Sequence, residues 1–544
     1  MPAHRVRAAG TFVGVDVGST HIKAVLAAPG SGVLHVARRP TETHVVRGGG
    51  AYHRPAELLA AVSAAIAECV AAADGPGGKP RAIGIASMAE AGVPIDRRNL
   101  PVGDILAWYD PRPERQAAWL ERQIGGPALF ARTGLRPEPK YTLPKLLWLR
   151  EHKAADFTRL RHWAGVSELV ALDLTGELGT NASLACRTLA FDVTRRSWDR
   201  DLLALASLGP DEMAPILPLG TAVGGLTAVA AARLGLPVGT PVAIAGHDHM
   251  AAALGAGVIK PGDVLDSMGT AEQALLVTRE PVLIEEVRRG GFSTGCHAID
   301  GLAYVAGGLQ SSGALIEWFL DTFLGPLAVA PALTTAVTTA TPAGVRAAGR
   351  AASRAATAAN AAESDRYARF IALLDQAGPG PVEPIVRPYL RGRTAPHRDP
   401  AASLEFEGLR ETHTLVDLAA AVVDGAAYHV RWMLDELARI TGTSLDRVKV
   451  TGGGARNRRW VVAKAALGPG RLEVVRTGEA AALGAALVAG VACGAYESVA
   501  DALADASPFD RVTAPASIQA RYDAAYLDRW LPAVITRLRQ SGLG

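Results

Sequence analysis

One pattern of apolar strands and small-residue turns occurs twice in this 544-residue chain. In the first copy, apolar residues at 12–17 and 22–26 flank the turn Gly18-Ser19-Thr20. In the second copy, apolar runs flank a turn that contains Gly269 and Thr270. Alternating apolar residues around a glycine turn are typical of two strands joined by a tight connection. Because the chain is too long for a single core, we predict that each copy begins one half of the protein.

Each copy is followed by a helix and then by a short apolar strand. A helical pattern at 55–73 precedes a strand at 82–86, and another at 415–440 precedes a strand at 448–450. The segment 257–262 contains the glycines and the proline of a linker between the halves. We therefore predict an α/β fold of two domains, each a mixed sheet flanked by helices, with a cleft between them. The predicted domains are 1–258 and 259–505, followed by a C-terminal helical tail at 506–544.

Residues 325–363 differ in composition from the rest of the chain. They are rich in Ala, Thr and Arg and include few large apolar residues. Such a segment can bury little surface, so we predict an exposed insertion in the second domain without a role in the chemistry.

Charge and apolar composition exclude several classes of protein. The net charge is +3 and the basic residues form no blocks, so we expect no nucleic-acid binding. The longest uncharged apolar stretch, 480–496, contains three glycines and is short for a membrane span, which favours a buried helix and no membrane association. No apolar signal-peptide segment is visible near residue 1. Four widely spaced cysteines without a CxxC pair favour reduced thiols and a cytoplasmic location.

The first turn has several features of a phosphate-binding site. Gly18 permits close approach of an anion to the backbone, and Ser19 and Thr20 add hydroxyl donors. Lys23 can supply compensating charge, and Asp16, at the end of the first strand, can hold Mg²⁺ through water. The same residues also suit an ordinary hairpin, and the turn alone does not distinguish the two.

Two later turns can complete a nucleotide site. Gly269 and Thr270 lie in a turn that can face the first one across a cleft. In the third turn, Gly453 lets a flat ring approach the backbone, and Asn457 can both donate and accept hydrogen bonds. A tight strand-to-helix connection is the alternative for this turn. The chain has no GxxxxGK[ST] motif and GGGARN lacks GxGxxG spacing, which excludes a Walker loop and argues against a dinucleotide fingerprint.

Asp248 is the best candidate for a catalytic group. It follows the apolar strand 242–244 and precedes an alanine-rich helix. A carboxylate at such a strand end can accept the proton of a sugar hydroxyl during phosphoryl transfer. A helix N-cap is one alternative. A metal site formed with His247 and His249 is another, disfavoured because neighbouring residues at a helix start point in different directions.

Together these segments resemble the FGGY family of carbohydrate kinases. The similar motifs occur in the family's order between residues 12 and 500: VGVDVGSTHIKAVL, TLPKLLWLREH, GHDHMAAALGAG, DSMGTAEQ, RPYLRGRTAPHRDP, TGGGARNRRW and GEAAALGAALVAG. The resemblance implies a two-domain actin-like ATPase (ribonuclease H-like) fold. It also implies phosphorylation of a sugar hydroxyl with ATP and Mg²⁺.

The resemblance also assigns expected roles to individual residues. Asp248 is expected to be the general base, and Asp16 the carboxylate linked through water to Mg²⁺. The residues expected to hold ATP are Asp16, Gly18, Ser19, Thr20, Lys23, Gly269, Thr270, Gly313, Gly453 and Asn457. Those expected to bind the sugar are Met88, Glu90, Trp108, Asp110, Arg112, His247 and Asp248. A surface turn with a half-buried Trp is the alternative for the WYDPR segment.

The expected sugar-binding segment departs from familiar patterns of the family. Residues 87–90, SMAE, differ from the Gln-Met-His-Gly typical of xylulose kinases and from the Arg-Glu pair typical of glycerol kinases. GHDH together with GTAE is closer to the fuculose-kinase-like branch. We expect a ketose or deoxyketose such as xylulose or fuculose, with a polyol or an aldonate as the alternative. A non-catalytic sugar or nucleotide sensor is a further alternative, disfavoured because Asp248 is present. The resemblance leaves the oligomeric state open, and a homodimer is compatible with it.

Overall fold

The computed structural model describes residues 10–46, 48–73, 78–324, 366–506 and 509–540, so the predicted insertion at 325–363 lies outside the described residues. The strands are β1 Phe12–Val17, β2 His21–Ala28, β3 Gly32–Pro40, β4 His44–Val45, β5 Ala51–His53, β6 Ile83–Ser87, β7 Gly92–Ile95, β8 Ile105–Leu106, β9 His162–Gly165, β10 Phe191–Asp192, β11 Ser197–Trp198, β12 Ala222–Gly225, β13 Pro241–His247, β14 Asp263–Met268, β15 Glu272–Thr278, β16 Ser293–Cys296, β17 Ala303–Leu309, β18 Ile385–Pro388, β19 Leu404–Glu407, β20 Arg447–Thr451, β21 Arg471–Val475 and β22 Phe509–Val512. The helices are α1 Pro55–Ala71, α2 Glu114–Ile124, α3 Gly126–Thr133, α4 Thr142–His152, α5 Ala154–Phe157, α6 Val166–Thr175, α7 Ala182–Ala185, α8 Arg200–Leu205, α9 Ala228–Leu234, α10 Asp248–Ala256, α11 Glu285–Arg289, α12 Ser312–Phe323, α13 with described residues 366–376, α14 Leu415–Thr441, α15 Arg458–Leu467, α16 Ala480–Ala492, α17 Val499–Ala506, α18 Ala516–Ala525 and α19 Leu531–Gln540, with a π-helical turn at Tyr526–Trp530.

The N-terminal half contains a six-stranded mixed sheet with the order β12-β13-β6-β1-β2-β3. β1 is antiparallel to β2 and parallel to β6, and Asp16 is opposite Lys23 on β2. Val13 and Val15 share a core with residues of α1, whereas Gly14 between them faces α16. The alternation read from the sequence thus places two different helices on the two faces of this strand.

The C-terminal half repeats this arrangement in a seven-stranded sheet with the order β16-β17-β15-β14-β20-β21-β22. β14 is antiparallel to β15 and parallel to β20, just as β1 is to β2 and β6. The two strand-turn-strand copies predicted from the sequence are confirmed as β1–β2 and β14–β15. The helices predicted to follow them are α1 and α14.

The sequence suggested a purely helical C-terminal tail, but the tail also contains a strand. Its first element, β22, pairs with β21 and extends the sheet of the C-terminal half. Farther on, Trp530 is fully buried beside Tyr526 and donates its indole N–H to the carbonyl of Val386 at 2.8 Å. The strand was missed because FDRV is short, carries two charges and lies at a sheet edge, where charged residues are common. The tail is therefore part of the second core.

Two buried helices connect the halves. α10 follows the N-terminal sheet, and α16, which comes from the C-terminal half, packs on it and on β1, β6 and β13. A Cβ on Gly255 would lie 2.0 Å from the carbonyl oxygen of Ala480, and one on Gly484 would lie 1.9 Å from that of Ala251. Glycine is required here because the two backbones are in contact. In the described ranges no helix is long and apolar enough to cross a membrane.

Candidate active site

Two cavities adjoin Asp248 in the cleft between the halves. The first has a volume of about 420 Å³ and is lined by five residues that we expected to bind sugar: Met88, Glu90, Trp108, His247 and Asp248. The second, of about 160 Å³, is lined by residues in or beside the predicted turns and by the start of α16, including Asp16, Lys23, Ser267, Thr451, Gly452 and Glu479. Asp248 lines both cavities and therefore stands at their junction.

The surroundings of Asp248 keep its carboxylate ionised. It is the first residue of α10, and its Oδ1 accepts the N–H of His249 at 2.7 Å and lies 2.9 Å from Nε2 of His247. Burial raises the pKa of Asp248, but the two histidines lower it further, to well below its usual range. At neutral pH the group is a carboxylate that can accept a proton. The N-cap alternative does not hold, because the N-cap position is occupied by His247.

The three candidate metal ligands lie closer together than the sequence argument predicted. One potential ligand atom each from His247, Asp248 and His249 lies within 4.8 Å of the other two. The side chains converge because His247 precedes the helix in an extended conformation, so helical spacing does not separate it from its neighbours. Two of the three groups already form an ion pair with each other, which competes with metal binding.

The pKa of Asp16 is raised, whereas that of Asp248 is lowered. Burial and the nearby charge of Asp248 raise the pKa of Asp16 to about 7, against a smaller lowering by Lys23. Its Oδ1 is buried without a hydrogen-bond partner among the described residues. A hydrated dication beside this carboxylate would compensate both features, so the site fits the Mg²⁺ that the sequence predicted. Two neighbouring carboxylates with separated pKa values are typical of sites that divide roles between acids.

We predict that Asp16→Asn removes a pH dependence of stability. The folded pKa of Asp16 is about 7, above the usual value of 3.8 for an aspartate, so the folded state retains a proton that the unfolded state loses. Without metal and nucleotide, the unfolding free energy of the wild type should therefore decrease, by up to a few kcal/mol, as pH rises from about 4 to 7. Melting temperatures of both proteins across this range measure the difference. Parallel curves for the two proteins would contradict the assignment.

Lys23, the cation expected at the first turn, forms an ion pair with Glu479, a residue that the sequence analysis did not single out. Lys23 Nζ lies 3.0 Å from Oε2 of Glu479, and Arg38 binds the other oxygen of the same carboxylate. Ser19 lines the first cavity, whereas Thr20 is exposed and lines neither cavity. The N–H of Gly18 is used inside the turn, where it donates to the carbonyl of His21 at 3.1 Å. Glu479 lies at the start of the GEAAALGAALVAG motif, and this position was the only feature of the sequence that pointed to it.

The second turn contacts both the start of α12 and the third turn. The N–H groups of Gly313 and Ala314 donate to the carbonyls of Gly269 and Thr270 at 3.1 and 3.0 Å. A Cβ on Gly313 would lie 2.5 Å from the Gly269 oxygen, so glycine is required for this approach. Gly452 meets the backbone of Met268 in the same way. The expected ATP-binding residues of the C-terminal half thus form one assembly.

Asn457 and Gly453 differ in what they offer a ligand. Asn457 is fully buried, and its Oδ1 accepts the N–H of Trp460 at 3.1 Å as the N-cap of α15. A Cβ on Gly453 would meet nothing within 4 Å, so open space adjoins this glycine. The turn therefore combines both sequence alternatives: a strand-to-helix connection held by Asn457 and an accessible glycine backbone.

The sugar side of the first cavity contains an ion pair that the sequence did not predict. Arg187 Nη2 lies 2.7 Å from Oε1 of Glu90, which has a positive φ of 63°. Behind them, the buried Lys145 ammonium donates to the carbonyls of Glu90 and Lys140 at 2.7 and 2.6 Å and to that of Trp108 at 3.4 Å. Burial lowers the pKa of Lys145 to about 7. One side chain therefore connects three segments of the cavity wall.

Asp110 and Arg112, expected to bind sugar, are bound to each other instead. Both Nε and the main-chain N–H of Arg112 donate to the buried Asp110 carboxylate, at 2.9 and 3.0 Å. The guanidinium lies over the ring of Trp148 at 4.5 Å. Neither residue lines the two cavities, whereas Trp108, which is exposed, does line the first. The pair therefore holds the turn that presents Trp108.

The chain matches known protein families over most of its length. Models of the N-terminal and C-terminal domains of the FGGY family of carbohydrate kinases match residues 11–255 and 265–493. Gluconokinase from Bacillus subtilis is 23% identical over 495 residues, which are 91% of this chain and 90% of that protein. Xylulose kinase from Escherichia coli K12 is 26% identical over 424 residues, 78% of each protein.

Solved structures give the same result for the fold. Xylulose kinase from Rhodospirillum rubrum superposes with a TM-score of 0.81 at 26% identity, covering 97% of this chain and 99% of that one. Gluconate kinase from Lactobacillus acidophilus has a TM-score of 0.80 at 18% identity, covering 98% of each chain, and supports the fold alone. These likenesses confirm the predicted two-domain, actin-like α/β fold. The chain belongs to the FGGY family of carbohydrate kinases.

Proposed function

We propose that this kinase transfers the γ-phosphoryl group of ATP to a hydroxyl of a small sugar, with Asp248 as the general base. The observation that carries the proposal is the position of Asp248 at the junction of the two cavities. One cavity has the hydrogen-bonding side chains that sugar hydroxyls need. The other is lined by Asp16 and Lys23, which flank the first turn, by Ser267 just before the second turn, and by Thr451 and Gly452 of the third.

The low pKa of Asp248 is compatible with this role. Phosphoryl transfer passes through a loose transition state in which the attacking hydroxyl keeps its proton until late. A weak base that orients the hydroxyl is sufficient for such a reaction, because positioning and charge stabilisation supply most of the rate. The contacts with His247 and His249 hold the carboxylate in place.

The residues around the second cavity fit a magnesium-bound nucleotide. Asp16 would hold Mg²⁺ through water, and Lys23 would face the phosphates after exchanging part of its contact with Glu479. Mg²⁺ supplies charge neutralisation on the phosphate oxygens. Gly269, Thr270, Gly313 and Gly453 would contact the remainder of the nucleotide through their backbone.

The acceptor that we propose is a small polyhydroxylated chain bound in the first cavity. Glu90 and Arg187 there offer an acceptor and a donor side by side, which suits two neighbouring hydroxyls. Relatives named xylulose kinase support a ketose or deoxyketose, including the xylulose and fuculose expected from the sequence. Relatives named gluconokinase support the second candidate, an aldonate.

A screen of ADP release with Mg-ATP over ketoses, deoxyketoses, polyols and aldonates tests the proposal. We expect release that depends on the acceptor and disappears when Asp248 is replaced. Saturable binding of both ATP and an acceptor, without turnover of any compound, would instead favour the sensor alternative.

A further inference from the structure

Lys464 is a buried cation that binds two acids at the base of the second turn. Its side chain is 3% exposed, and its ammonium contacts the carboxyl groups of Asp266 and Glu272, which are 1% and 0% exposed. Asp266 lies on β14 and Glu272 begins β15, so the two acids flank the turn that contains Gly269 and Thr270. The ammonium therefore joins the two ends of this turn.

The contacts of Lys464 extend to two further segments of the expected nucleotide site. The hydroxyl of Ser312 lies 2.6 Å from Oε2 of Glu272. Ser312 begins α12 and immediately precedes Gly313, whose N–H donates to the carbonyl of Gly269 at 3.1 Å. Lys464 itself belongs to α15, the helix that begins after the third turn. One ammonium thus connects the second turn, the start of α12 and the helix of the third turn.

The two acids depend on this ammonium. In the described part of the chain neither acid has another cationic partner, and Oδ1 of Asp266 is buried there without a hydrogen bond. Burial raises the pKa of Glu272, Lys464 lowers it and Asp266 raises it again, to about 8. At neutral pH Glu272 therefore retains a proton, and Lys464 balances the charge of Asp266. Because a buried charge without its partner is costly, the pairing keeps these segments assembled.

Lys464 acts on the nucleotide site through other groups. It lines neither cavity beside Asp248, and the groups that the second turn offers to a nucleotide belong to its backbone. Glycine turns lose much conformational freedom on binding, so a turn that is fixed in advance binds more tightly. Given the nucleotide site proposed above, on which this inference rests, we propose that Lys464 is a positioning residue for ATP. It fixes the backbone of the second turn and of the start of α12 in the arrangement that binds the nucleotide.

The first test is Lys464→Met, which removes the ammonium and keeps an unbranched side chain. The Kd for a non-hydrolysable ATP analogue with Mg²⁺, measured by calorimetry, should rise about 10- to 100-fold, the range that a charged hydrogen bond supports. The KM for the acceptor should stay within about twofold, because the expected sugar-binding residues belong to the other half. Ser312→Ala, which cuts only the link to α12, should raise the Kd by a smaller factor. Lys153→Met is the control, because Lys153 is exposed and lines neither cavity.

A double variant separates positioning from loss of stability. Lys464→Met leaves the carboxylate of Asp266 unpaired and should lower the melting temperature. Lys464→Met/Asp266→Asn has no unpaired charge and should recover most of that loss, yet its Kd for the analogue should remain about 10-fold or more above that of the wild type. Recovery of nucleotide affinity together with stability would overturn the inference, as would equal Kd values for the wild type and Lys464→Met.

The same measurements distinguish this role from the kinase proposal. If the wild type binds the analogue, the Lys464 variants bind it weakly and no acceptor is phosphorylated, the positioning role stands and the kinase proposal fails. If acceptors are phosphorylated and the Lys464 variants bind the analogue as the wild type does, the kinase proposal stands and the positioning role fails. A wild type that does not bind the analogue would overturn both.

Discussion

Asp248→Asn is expected to lower kcat by about 10²–10⁴-fold, the usual effect of removing a general base. Asparagine keeps the size of the side chain and an oxygen for the N–H of His249, so the start of α10 should be preserved. It cannot take the proton of the acceptor hydroxyl. The melting temperature and the affinity for ATP should change little, and steady-state ADP release measures the loss of turnover.

Asp104→Asn is the matched control for this substitution. Asp104 is exposed and lines neither cavity. It should keep wild-type turnover. If Asp248→Asn retained turnover within about threefold of the control, far from the loss expected for a general base, Asp248 would not be the base.

Arg187→Met is expected to destabilise the folded protein by about 3–5 kcal/mol, the cost of leaving a buried charge without its partner. The side chains of Arg187 and Glu90 are only 11% and 7% exposed, so water cannot replace the lost contact. In the wild-type protein, burial raises the pKa of Glu90, but Arg187 lowers it below its usual value. Without Arg187 the pKa rises, so the destabilisation should be larger at pH 8 than at pH 5. Thermal melting at both pH values provides the measurement.

The double variant Glu90→Gln/Arg187→Met distinguishes charge from packing. Removing the orphaned carboxylate should recover a large part of the stability lost in Arg187→Met. Arg195→Met is the control, because Arg195 is 83% exposed and its contact with Asp192 is at the surface. A double variant as unstable as the single one would show that the arginine acts through its volume. All variants of this pair should also have weaker acceptor binding, because both residues line the cavity.

Local patterns were sufficient for the framework of this protein. The strand and turn around Asp16, its repeat around Gly269, and the helices after them could be predicted because each depends on residues close in sequence. Asp248 could be found for the same reason, since it directly follows an apolar strand. The family motifs then ordered these parts along the chain.

Only the tertiary structure decided how the charged side chains are paired. Arg187 meets Glu90 from 97 positions away, and Lys464 meets Asp266 from 198 positions away. Asp110, which the WYDPR segment suggested for sugar binding, is instead bound by Arg112 outside the cavity. No local pattern encodes such partners, because strand ends and loops from distant segments meet only after the sheets have formed.

The first cavity shows the same division. Arg136 and Lys140 of its wall lie in RPEPK and Arg398 lies in a segment of the C-terminal half, and no local pattern shows that these segments meet. The periodicity of apolar residues therefore indicated the two sheets, the turns and the position of Asp248 at a strand end. The net charge of a cavity is a sum over side chains from both halves, and only the folded chain brings those charges within reach of one ligand.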